Sequence, residues 1–436
     1  MLPWYTYLSI GGGLAFGLFL LGTPIFLSFL VVIIVGIAAI IGPAGYSMFV
    51  NSLYEATTTT SLASIPLFIL MGELLFRSGT MDVLFNSVDK LVGRVKGRQY
   101  VLVIVLSAVF GALSGSAMAV AAMLGRAAVP GMLKRGYDVN LSAGSILAGA
   151  SLAPIIPPSI LAIIVGTIAD VSIAKLLVAG VVPGLLLATL FLGYVFIVVG
   201  IDPSRSPPSA GEVTEVSGRE KVMAVVRCLP FLIVIFMVMG LIMLGVATPS
   251  ESAATGVVGA LVTAAIYRNL SWKMIVESLA AAASIACTIL IIMAMSKMLT
   301  QLLAFTGSTR ALVDVIAGLG LDALPMLIVM LIVPFVLCMF VDQIAIMLIL
   351  IPLFEPIMKS FGFDPVWFWL LFLINMTLGG ITPPLGYTLF AFQSVTPQIS
   401  LQQVFRAVWP FVALFILGMA LMVAFPPIVT FIPNLL

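Results

Sequence analysis

No histidine occurs in the chain, so the side chain that ordinarily titrates near neutrality, also the commonest metal ligand, is missing. Charge is scarce: 8% of the 436 residues are Asp, Glu, Lys or Arg, against roughly 25% in soluble domains. The formal net charge is only +2, and no basic patch is dense enough to hold a nucleic acid. The three cysteines, Cys228, Cys287 and Cys338, are far apart and form no CxxC pair. Neither a disulfide framework nor a zinc site follows. No Walker-type phosphate loop is present. The absence of histidine, of paired carboxylates and of a nucleophile beside a base argues against an intramembrane enzyme. The absence of a charged ring or selectivity-filter string argues against a channel.

What is abundant is apolar sequence, 62% of the chain and spread throughout. That excludes a soluble domain with a single anchor and indicates an all-α integral membrane protein embedded in lipid. A crossing needs about 20 apolar residues. Such stretches lie near 5–22, 24–41, 60–78, 142–167, 174–200, 222–246, 252–267, 275–300, 366–396 and 401–430. The first has no positive charge before it and no small-residue cleavage site, so it reads as a retained span. Segment 43–59 reads as an interfacial helix or loop. Segments 97–134 and 322–360 are too long for one span and are broken in the middle, as expected of re-entrant hairpins built from two half-crossings. Ten spans, or eleven, accompany the two hairpins.

The two halves repeat one order of signals. Gly79, Pro130, Gly136-Tyr137-Asp138 and Pro157-Pro158 recur as Gly307, Pro356, Gly362-Phe363-Asp364 and Pro383-Pro384, offset by 226 to 228 residues. Proline lacks the N–H that would continue a helix, so the proline pairs break the spans 142–167 and 366–396. Repeats with interrupted spans are the mark of secondary transporters. Unwound backbone is tolerated at membrane depth only where protein or water encloses it. The expected division is a first repeat over 1–200, a polar linker over 201–221 and a second repeat over 222–436.

Lys90, Arg94, Lys96, Arg98, Lys134 and Arg135 crowd the feet of the first hairpin. Arg205, Arg219, Lys221, Arg227, Arg268 and Lys273 place the linker and the 268–273 turn on the same side, the cytoplasm by the positive-inside rule. The second hairpin has few such charges. Each half then holds five crossings and a hairpin, and an odd number inverts the second half relative to the first. Residues 81–96 and 309–321 carry charge at helical spacing and read as amphipathic surface helices or plain interfacial loops. As helices they would be struts from a fixed frame to a moving core.

Several strings go further. Ile65-Pro66-Leu67-Phe68-Ile69-Leu70-Met71-Gly72-Glu73, Ser114 to Ala119, Pro130 to Asp138, Pro154 to Ser159, Thr248 to Ala254 and Thr382 to Gly386 resemble the large membrane subunit of tripartite ATP-independent periplasmic (TRAP) transporters, the DctM-like family. The resemblance runs from about residue 10 to the C-terminus. It implies a multi-pass bacterial inner-membrane symporter with sodium as the coupling ion and no organic cofactor. It also implies an organic anion, usually a carboxylate, delivered by a periplasmic binding protein, and a small four-span membrane subunit. No room for that subunit exists before Tyr5, so a separate chain is expected. An elevator motion is implied by related inverted-hairpin transporters. The alternative is a stand-alone sodium–dicarboxylate symporter of similar fold.

The tip Ser114-Gly115-Ser116 offers hydroxyls and flexible backbone. Gly149, Leu152 and Pro154 of the facing broken span would add carbonyls, together a first sodium site. Small-residue helix packing is the plainer explanation. A second sodium site would comprise Cys338, Asp342, Asn375, Gly379 and Thr382. The family usually has glycine where Cys338 stands. Asp342 is the acidic residue deepest in a hairpin and either ligates sodium or holds the tip by accepting N–H groups. The substrate would meet Ser114, Gly115, Ser116, Pro157, Pro158, Pro383 and Pro384. Arg126 is a candidate carboxylate partner, although a snorkelling structural role suits its place near the hairpin foot. Glu73, Glu251 and Lys297 read as structural.

Overall fold

The computed structural model describes residues 4–93, 95–207, 217–318 and 320–436. Arg94 and residues 208–216 of the linker lie outside them. Within them the fold is built entirely of helices. In chain order these are α1 (Trp4–Leu20), α2 (Ile25–Gly36), which runs into a π-helical turn, α3 (Ala44–Thr58), α4 (Ser64–Arg77) and α5 (Thr80–Val92). The first hairpin is α6 (Arg98–Ser114) and α7 (Ala117–Lys134); the first broken span is α8 (Val139–Ala150) and α9 (Ile160–Ile168). Then come α10 (Ile173–Ala179), α11 (Val181–Ile201), α12 (Gly218–Met243), α13 (Pro249–Ile266), α14 (Trp272–Phe305) and α15 (Ser308–Gly318). The second hairpin is α16 (Ala323–Cys338) and α17 (Gln343–Ser360); the second broken span is α18 (Pro365–Gly380) and α19 (Tyr387–Val395). Helices α20 (Leu401–Ala424) and α21 (Pro427–Thr430) complete the bundle.

Both hairpins and both broken spans are present where the sequence places them. Each broken span starts at an aspartate cap: Asp138 accepts from the Leu141 N–H and Asp364 from the Trp367 N–H, both at 2.8 Å. Segment 43–59 is helix α3, packed on α14. The hairpin arms have 16 to 18 residues, about 24–27 Å of helix. That exceeds a half-crossing, so the arms tilt or their feet project from the apolar layer. Helix α12 begins at Gly218, inside the segment 201–221 expected as linker.

Two groups of helices pack among themselves. One comprises α1–α4 and α12–α14, with α13 wedged between α4 and α12. A Cβ on Gly256 would lie 2.6 Å from the Met71 sulfur and 2.7 Å from Val238, so glycine sets that close approach. The other comprises the hairpins, the broken spans, α11 and α20. Here α20 lies so close to α8 that a Cβ on Gly144 would stand 2.5 Å from the Ala407 carbonyl. The amphipathic segments are helices, α5 and α15, and each touches both groups: α5 packs on α12 and α6, α15 on α14 and α17. Arg98, 5% exposed, ties α5 to the first hairpin through a 2.9 Å ion pair with Asp89.

The start of the linker is docked on the same foot. The Arg205 carbonyl accepts from the Tyr100 hydroxyl (2.6 Å) and from the Asp138 N–H (3.1 Å). Hydrogen bonds from the Ser204 hydroxyl and the Arg205 guanidinium hold the Asp202 carboxyl below its usual pKa range.

Candidate functional site

The second arm of each hairpin packs on the last segment of the other repeat's broken span, α7 on α19 and α17 on α9, while α8 and α18 lie beside their own hairpins. This crossing joins the repeats in one core. At each tip and each break one helix ends and another begins. The ends of α6, α8, α16 and α18 present carbonyls, and the starts of α7, α9, α17 and α19 present N–H groups. Carbonyl ends suit a cation and N–H ends an anion. The same region therefore has backbone for both charges without a buried lysine or arginine.

At the first tip, Gly115 takes a left-handed conformation with φ 63°. A Cβ there would stand 3.2 Å from Ile160, which packs the tip against the start of α9. Ser116 caps α7 by accepting from the Ala119 N–H at 3.3 Å, and the Ser114 hydroxyl faces the Ser116 N–H at 3.4 Å. Ser159 caps α9 and donates to the Pro154 carbonyl. A carbonyl has two lone pairs. The Gly149 carbonyl accepts from the Leu152 N–H and keeps one position free. The Leu152 carbonyl already accepts from both Ile155 and Ile156, at 3.0 and 2.8 Å. The Leu152 carbonyl is therefore the one most taken up by the break's own N–H groups, whereas those of Gly149 and Pro154 each accept one bond.

At the second tip, Asp342 holds the hairpin: its Oδ1 accepts from the N–H groups of Ile344 (2.9 Å) and Ala345 (3.4 Å). Asn375 donates to the Leu331 carbonyl at 2.6 Å, and the Thr382 hydroxyl to the Leu378 carbonyl at 2.7 Å. Cys338 turns its sulfur toward Met376, 3.1 Å away, so only its backbone faces oxygen chemistry. A Cβ on Gly379 would meet the Cys338 Cβ at 2.4 Å. In the first repeat the close approach is reversed, with Gly111 on the hairpin against Ala153 of the break. Glycine on the broken span leaves room for Cys338 on the hairpin.

The breaks differ in cover. Both proline pairs have cis bonds. Pro157 and Pro158 are buried, and a Cβ on Gly180 would overlap the Ile155 carbonyl. Pro384 and Leu385 are exposed. Arg126 is not brought to the tips. It is exposed on α7, ten residues or about 15 Å along the helix from Ser116. Glu73 pairs with Arg77 at 2.8 Å, and Glu251 forms a capping box with Thr248.

Sequence reasoning missed four polar groups. Ser107 and Ser145 are fully buried on α6 and α8 with no hydrogen-bond partner among the described residues. The Tyr387 hydroxyl donates to the Gln343 side-chain carbonyl, joining the second break to the second tip. An amide directly after Asp342 and a tyrosine directly after Gly386 were the available signals.

Comparison with known proteins decides the family. A family model described as the tripartite ATP-independent periplasmic transporter, DctM component, matches residues 13–428. The chain belongs to the DctM family. It is the large permease component of a TRAP transporter, a multi-pass protein of the bacterial inner membrane and not an enzyme. It is 30% identical to the ectoine TRAP transporter large permease TeaC of Halomonas elongata, over 96% of this chain and 97% of that one. It is 29% identical to the C4-dicarboxylate TRAP transporter large permease DctM of Pseudomonas aeruginosa, over 88% of each. The sialic acid TRAP transporter permease SiaT of Haemophilus influenzae is 28% identical, over 99% of this chain and 71% of its own length. In fold, this DctM-family chain is similar to the Alcanivorax borkumensis YdaH transporter, with TM-score 0.61, 14% identity and coverage of 88% and 90%.

Proposed function

We propose that this DctM-family chain imports an organic anion with a carboxylate group by sodium symport. The anion is delivered by a periplasmic binding protein, and a small four-span subunit completes the membrane part. The observation that carries the reading is the pairing, at both tips, of helix ends with helix starts beside hydroxyl and carboxylate oxygens. Sodium takes hydroxyl and carbonyl oxygens, from Ser114, Ser116, Gly149 and Pro154 at one tip and from Asp342, Asn375, Gly379 and Thr382 at the other. The substrate carboxylate takes N–H groups at the helix starts next to the proline pairs. Relatives whose names specify ectoine, C4-dicarboxylates and sialic acid support an anionic or zwitterionic carboxylate.

Alternating access then moves the crossed core against the frame of α1–α4 and α12–α14 as an elevator, with α5 and α15 as the connecting struts. Reconstitution of both membrane subunits tests the assignment. Uptake is expected only when the binding protein is added outside; equal uptake without it favours the stand-alone symporter.

A further inference from the structure

The two tips are closed by different chemistry. At the first, Gly115 rests on the apolar Ile160, and the tip hydroxyls bond only within the tip. At the second, the Tyr387 hydroxyl bonds to Gln343, the first residue of α17 and the neighbour of Asp342. The geometry of the break is shaped around this bond. A Cβ on Gly380 would collide with the Tyr387 ring at 2.4 Å, so only glycine lets the ring lie over the end of α18. A Cβ on Gly386 would stand 2.8 Å from the Gly380 carbonyl, which folds the start of α19 back onto that same end. Gln343 is 8% exposed, so its bond to Tyr387 competes little with water. The residue at Gln343's place in the first repeat is Ala117 and at Tyr387's place Leu161, and neither can make such a bond.

We propose that Tyr387 and Gln343 form a latch that positions the second hairpin tip against the second break and thereby sets the affinity of the sodium site there. The inference rests on the sodium reading of that site. The proposed ligands come from two segments, Asp342 on the hairpin and Asn375, Gly379 and Thr382 on the broken span. An ion that bridges two segments binds more tightly when they are already held at the right separation, because less ordering is left to do on binding. Asn375 ties α18 to the first arm α16 through the Leu331 carbonyl, and Asp342 spends one oxygen on its own helix start. The latch adds the tie between the start of α17, which carries Asp342, and the start of α19. The Tyr387 side chain is a positioning group: its hydroxyl acts through Gln343 and not on the ion.

The test uses the purified full chain in detergent and sodium ion itself as probe, with potassium as the control. Sodium-dependent thermal stabilisation is titrated for wild type, Tyr387→Phe, Gln343→Met and the double variant. Tyr267→Phe, which removes another tyrosine hydroxyl bond, to the Arg227 carbonyl, controls for general loosening. Loss of one such hydrogen bond corresponds to about a five-fold change in affinity. Each single variant is expected to raise the half-saturating sodium concentration about five-fold, the double variant no further, and Tyr267→Phe not at all. Wild-type sodium titrations in both single variants would overturn the latch while leaving the sodium site standing. Additive shifts in the double variant would also overturn it, since the two residues would then act separately. No sodium-specific stabilisation of the wild type would overturn the sodium reading, and the latch with it.

Discussion

At the residue scale, the tips use small oxygens whose geometry is fixed by helix caps. Ser116 and Asp342 occupy equivalent places, each capping the second arm of its hairpin. Ser114→Ala removes one hydroxyl and keeps a small residue, so packing survives. Asp342→Asn keeps the shape and one acceptor for the cap but removes the charge. Each is expected to raise the sodium concentration for half-maximal uptake by about tenfold or more, with expression close to wild type; unchanged titrations of uptake would assign the tips to substrate access or flexibility. Arg126→Lys keeps the charge and loses the bidentate fork. From its exposed place ten residues along α7 from the first tip, it is expected to alter protein yield and not the apparent substrate affinity. The tip serines and Asp342 were legible in the sequence because a polar break inside an apolar run is conspicuous. The two hydrogen bonds on the Leu152 carbonyl were not legible, because bonds made by a break's own backbone are invisible until it is folded. Tyr387 and Gln343 escaped notice because they are 44 positions apart and ordinary at helix starts.

At the scale of elements, close helix contacts are set by single glycines, and in the two repeats the glycine sits on opposite partners. Gly379→Ala drives a methyl into Cys338 and should destabilise the hairpin–break contact by about 1–3 kcal/mol. Cys338→Gly added to it should restore thermal stability, because it vacates the space that the methyl needs. Stability of the double variant no better than Gly379→Ala alone would show that the clash is relieved elsewhere. The existence of hairpins, breaks and amphipathic helices was legible from proline pairs, interrupted apolar runs and charge spacing. Their ends were not. Helix α8 starts at Val139 because Asp138 caps it, and α12 starts at Gly218 because Ser217 and Glu220 form a capping box. Caps override the apolar window that defines a span.

At the scale of the whole molecule, the order of helices from α5 to α9 returns from α15 to α19, and the second arm of each hairpin packs on the other repeat. Five crossings per half, as the sequence leads one to expect, would put the hairpin feet on opposite membrane faces. Lys134 and Ser360 end the equivalent arms α7 and α17, and both are exposed. Single cysteines there, in a background without Cys228, Cys287 and Cys338, should react with an impermeant thiol reagent from opposite sides of oriented vesicles. Reaction of both from one side would contradict the inversion. The repeat was legible because its signals recur at a nearly constant offset. The crossing of the repeats was not, since no local spacing encodes which helix packs on which.

Coupling to sodium is the central claim, and one measurement bears on it most directly. The large permease, its small membrane partner and the cognate binding protein are reconstituted into vesicles, and uptake of the binding protein's ligand is followed without ATP. An inward sodium gradient should drive accumulation, and replacing sodium by potassium at equal ionic strength should abolish it. Equal accumulation in potassium, driven by a proton gradient alone, would contradict the account.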